Sequence, residues 1–90
     1  MDEMNINYDE ILEELTLLML YLTSFRDNRN LKGEDNLRAW KGYPFEFLNA
    51  LDSKKFITQS RGAKSVVITD EGVEKAEKIK EKYMEFWKDY

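Results

Sequence analysis

Ninety residues, 42% hydrophobic and 36% charged, make one small globular domain and exclude a disordered or fibrous chain. The chain has no cysteine and no histidine, which removes disulfides, thiolate metal sites and the imidazole chemistry of most hydrolases. The net charge of −4 is divided unevenly: residues 1–25 carry six acids and no base (−6), residues 26–64 carry +4, and residues 65–90 carry −2.

Residues 1–6 read as a flexible terminus. Met1-Asp2-Glu3-Met4 is acidic, unlike a secretory or transit signal. The longest apolar run, Leu17 to Leu22, is too short to span a bilayer, so a cytoplasmic, membrane-free protein is expected. Asn7 with Glu10 three residues on marks a helix start. The helix is expected to run to about Phe25. Ile11, Leu12 and Leu15 share one side, and its later part is apolar all round. Such a helix must be covered on every side. A second subunit is the expected cover; the other reading is a central helix wrapped by its own chain.

Residues 26–37 are polar, with three asparagines and a glycine, and predict a loop. Arg38-Ala39-Trp40-Lys41 predicts one helical turn ended by Gly42. Pro44 suits the first turn of the next helix, in which Phe45, Leu48 and Leu51, followed by Phe56, form the buried side. Glu46, Asn49 and Ser53 face away, and Lys54-Lys55 closes the helix. Ile57 opens a strand, Arg61-Gly62-Ala63-Lys64 turns, and Val66-Val67-Ile68 returns. Thr69 or Asp70 caps a last helix. Its Val73, Ala76, Ile79, Tyr83, Phe86 and Tyr90 recur at steps of 3, 3, 4, 3 and 4, close to a heptad seam.

That order predicts an α+β winged helix-turn-helix over residues 7–90: helix, short helix or turn, helix, β-hairpin wing, long C-terminal helix. The first and last helices are expected to pack together and to build a homodimer interface around Leu18, Leu22, Ile79, Tyr83, Phe86 and Trp87.

Residues 44–80 resemble the core of PadR-like and MarR-like winged-helix regulators, through Leu48, Leu51, Phe56, Ile57 and then Ile68-Thr69-Asp70-Glu71-Gly72. Lys55 stands where their pattern has glycine. Residues 8–83 are also similar to a family of short bacterial proteins of unknown function. The leucine-rich first helix, Arg38-Ala39-Trp40-Lys41-Gly42-Tyr43 and Ala63-Lys64-Ser65-Val66-Val67-Ile68-Thr69-Asp70-Glu71-Gly72 carry that likeness. The resemblance implies a winged-helix core and brings no activity.

The basic middle of the chain gives a candidate surface for double-stranded DNA. Arg61 and Lys64 sit on the wing, and Arg38, Lys41, Lys54 and Lys55 are further phosphate contacts. Six such cations imply a salt slope of about −5. Asn49 is the candidate base reader, suited to adenine. No arginine or lysine lies between Pro44 and Ser53, and Glu46 is ill placed beside phosphates. Trp40 and Tyr43 flank Lys41, which suits stacking on single-stranded bases or ligand rings, but tryptophan in so small a domain is expected in the core. No nucleophile has an evident base, and no phosphate loop is present. The chain is therefore expected to be no enzyme and to take no cofactor or metal. Two functions follow: a DNA-binding transcriptional regulator, or a winged helix used only for protein–protein contact.

Overall fold

In the computed structural model, which describes residues 7–27 and 36–87, Asn7 opens the first helix: its side-chain oxygen accepts the Glu10 N–H at 3.2 Å. Helix α1 spans Tyr8–Leu22, three residues short of the expected end at Phe25. The Thr23 and Ser24 hydroxyls bond back to the Met19 and Tyr21 carbonyls at 2.7 and 2.6 Å, which satisfies the last turn and releases the chain.

The next segment departs from expectation. Phe25–Asp27 is strand β1 and Asn36–Trp40 is strand β2, paired antiparallel with Phe25 opposite Arg38. Both ends of the expected 26–37 loop are thus strand; residues 28–35 lie outside the described residues, as do residues 1–6. Arg38-Ala39-Trp40 is strand too, not a helical turn, so no helix stands before α2 as the first half of a helix-turn-helix. The reason is alternation. Leu37 and Ala39 face the core, Arg38 and Trp40 face out, and the β-branched strand β4 (Ser65–Ile68) takes β2 as its partner.

Helix α2 (Phe45–Ser53) follows Pro44. It ends in a Schellman arrangement: Phe56 N–H bonds to the Leu51 carbonyl and Lys55 N–H to the Asp52 carbonyl, at 3.0 and 2.9 Å. Lys55 holds the left-handed position with φ 68°, which costs an L-residue about 1–2 kcal/mol relative to glycine. Glycine loses more freedom on folding. Lys55→Gly is therefore expected to raise stability by a net of about 0.5–1 kcal/mol, read as a higher denaturant midpoint at unchanged slope. A lower midpoint would show that the lysine side chain contributes more than the strain costs.

Strand β3 (Ile57–Gln59) pairs with β4, and helix α3 (Asp70–Trp87) closes the chain. The sheet order is β1-β2-β4-β3, antiparallel throughout. The helices cover one sheet face. Leu17 and Leu20 of α1, Leu48 and Leu51 of α2, and Ala76 and Ile79 of α3 bury Ala39, Ile57, Val66 and Ile68. Thr69 is the cap of α3: its Oγ1 accepts the Gly72 N–H at 3.0 Å and donates to the Lys55 carbonyl at 2.7 Å.

The first and last helices pack together, as expected. Tyr21 donates its hydroxyl to the Glu77 carboxylate, and Lys82 pairs with Glu14 at 2.9 Å. The Tyr21 hydrogen bond holds the Glu77 carboxyl below its ordinary range, and the same bond pushes the Tyr21 phenol up. The hydrogen bond to Glu14 raises the Lys82 ammonium. Among the described residues α1 is covered on one side, and Met19 and Leu22 are exposed.

Candidate nucleic-acid interface

Alternation along the strands turns Phe25, Arg38, Trp40, Thr58 and Val67 away from the core. Among the described residues no helix covers this side of Trp40, which is 61% exposed; the expected core tryptophan is a surface residue. Its size argued for burial, but its strand register decides otherwise. The Phe25 and Trp40 rings lie 5.0 Å apart, tilted by 34°. Beside them, Arg38 Nε donates to Ser65 Oγ at 3.0 Å. The remaining guanidinium nitrogens of Arg38 keep their donor capacity.

The tip of the β3–β4 hairpin lies at one end of this sheet. Ala63 N–H closes a turn onto the Ser60 carbonyl at 3.1 Å, with Gly62 at φ 82°, the third position that a type II turn reserves for glycine. The Lys41 N–H extends the ladder to the Lys64 carbonyl at 2.9 Å. Lys41 therefore lies beside the tip, where Arg61 and Lys64 are exposed. Among the described residues, no carboxylate pairs with Lys41, Arg61 or Lys64. Four of the seven expected nucleic-acid residues thus gather at one end of the sheet: Arg38, Lys41, Arg61 and Lys64.

The other three do not join them. The Asn49 side-chain carbonyl accepts from Gln59 Nε2 at 3.0 Å. Gln59 is itself fixed by Asp52, which accepts its backbone N–H at 3.2 Å. Lys54 pairs with Glu13 at 2.5 Å. Lys55 sits at the base of the β3–β4 hairpin, the opposite end from its tip. Between α1 and α2 runs a cleft of about 340 Å³ whose charged lining is Asp9, Glu10, Glu13, Glu46 and Lys54. Four acids against one base repel a phosphate backbone. The side of α2 that borders this cleft is acidic.

Of the residues expected at a dimer interface, Leu18 and Ile79 are buried within the chain's own core, and Tyr83 is half-buried against it. Leu22 is exposed. Phe86 and Trp87 lie in the last turn of α3; their side chains are outside the described residues. The outward stripe of α1 is Tyr8, Leu12, Leu15, Met19 and Leu22, at steps of 4, 3, 4 and 3. The sequence marks Leu12 and Leu15 as one apolar side of the helix and Leu22 as an interface residue, but not the heptad seam that joins them with Tyr8 and Met19; Phe25 is legible only through its partner strand.

Among the described residues no group of three or more acids could hold a metal ion, and no helix is long and apolar enough to cross a membrane. No curated protein and no solved structure matches the chain. One family model does, over residues 8–86, described as Domain of unknown function (DUF6429).

Proposed function

The chain belongs to this family of unknown function, and within it we propose a non-enzymatic DNA-binding module that holds phosphates at the wing end of its sheet. The observation that carries the reading is the gathering of Arg38, Lys41, Arg61 and Lys64, with Lys41, Arg61 and Lys64 free of acid partners among the described residues. The scaffold is read as a winged helix in which β2 takes the place of the first helix of the helix-turn-helix. The hairpin β3–β4 is the wing, α2 precedes it and α3 follows it. Binding is then through backbone phosphates, which position a protein without reading sequence. A regulatory role rests on the fold alone.

Titration of a labelled random duplex at two salt concentrations tests this. Four contacts imply a slope of log K against log salt of about −3.6. Arg61→Ala with Lys64→Ala is expected to flatten it by about 1.8. Absence of binding at low salt by the duplex and by a single strand of equal length rejects the proposal.

A second reading, a protein–protein module without nucleic acid, is favoured by the exposed apolar seam of α1. Its simplest partner is a second copy of the chain, and light scattering at micromolar concentration distinguishes a dimer from a monomer.

A further inference from the structure

We infer that the open sheet face built on Trp40 and Phe25 is a stacking site for unpaired bases, so that the nucleic acid held at the wing end is single-stranded. This rests on the phosphate-binding reading of the adjoining cations and names its substrate class. Trp40 presents its ring to solvent on a strand, where pairing with Ser65 of β4 fixes its position. Phe25 supports it at 5.0 Å, so the ring is held in place before a ligand arrives. Arg38 stands two residues away on the same face, about 7 Å along the strand. Its Nε is anchored on Ser65 Oγ, and its planar end remains able to stack or to bind phosphate.

Duplex DNA offers nothing to such a ring, because its base faces are covered by their neighbours. An extended single strand presents a π-face at every nucleotide and one negative charge beside it. On this face the charge is Arg38, two residues from Trp40 and opposite Phe25. Lys41 and Lys64 stand one residue past Trp40 and Ser65 on the same ladder, so the pleat turns them to the other side, at the rim of the sheet. A strand stacked on Trp40 passes its phosphates over Arg38 and meets the two lysines where it leaves the face over the rim.

The experiment compares a labelled oligothymidylate of about 15 nucleotides, within the usual site sizes, with a duplex of equal length, by anisotropy at one low salt concentration. The single strand is expected to bind more tightly. Trp40→Ala is expected to weaken it by roughly ten- to a hundredfold without changing duplex affinity, and Trp40→Phe to restore most of the loss. In a Trp87→Phe chain, emission from Trp40 is expected to be quenched by the oligonucleotide. Circular dichroism checks that each variant is folded, which an exposed position permits. Equal affinity for the two ligands with no effect of Trp40→Ala overturns this inference and leaves the phosphate-binding reading standing. Failure of both ligands to bind overturns both.

Discussion

Gly72→Ala is expected to lower the melting temperature by more than about 10 °C. Gly72 lies in the first turn of α3, where alanine would ordinarily stabilise a helix by about 1 kcal/mol over glycine. Here the sign reverses. A Cβ on residue 72 would stand 2.0 Å from the Phe56 carbonyl oxygen and 3.0 Å from Ile68 Cγ2. The first obstacle is backbone, and it is not free to move. That same carbonyl accepts the Thr69 N–H at 3.1 Å, and the Phe56 N–H is the closing bond of α2. Relief requires the start of α3 to lift off the hairpin base, breaking the bonds of Thr69. Overpacking against a fixed wall costs about 3 kcal/mol or more. In a domain of this size each kcal/mol shifts the midpoint by roughly 4–8 °C. A melt equal to or above that of the native chain would mean that α3 does not approach Phe56 this closely.

The second large effect separates the two sides of α1. Leu20 is 0% exposed, whereas Met19, its neighbour in sequence, is 46% exposed. Leu20→Ala is expected to destabilise the chain by about 3 kcal/mol, through lost burial and the cavity left in the core cluster it belongs to. Met19→Ala is expected to change stability by less than about 0.5 kcal/mol, as surface replacements do. Urea titrations of both variants at two protein concentrations give the answer. A costly Met19→Ala whose effect grows with concentration would mean that a second copy covers the seam.

Much of this architecture is written locally. Asn7 and Glu10, the glycine in the β3–β4 turn, the run Val66-Val67-Ile68 and the cap at Thr69 each act over three or four residues, and each sits where its chemistry requires. Strands β1 and β2 are different. Only Leu37 and Ala39 mark the inward side of β2, too short a pattern to separate a strand from a helical turn. What decides is β4, 27 residues further on in the Arg38–Ser65 contact, and that pairing is invisible to local propensity. Trp40 shows the same limit. Ring size predicts burial, but the one-residue register of a strand assigns it to the outer face. The candidate site suffered accordingly. Arg61 and Lys64 were legible from the turn, whereas the exposed aromatic pair required the sheet. Lys54 and Asn49 looked available until tertiary neighbours, Glu13 and Gln59, took them.

The bonds of Thr69 to Phe56 and Lys55 tie off the hairpin at its root, independently of what happens at its tip. A closed span of this kind tolerates insertion. Doubling the five residues between β3 and β4 adds only about 0.6 kcal/mol of closure entropy. The reach of the hairpin is thus an adjustable dimension, and homologous chains are free to lengthen it, graft charge onto it or retarget it while the three helices stay as they are.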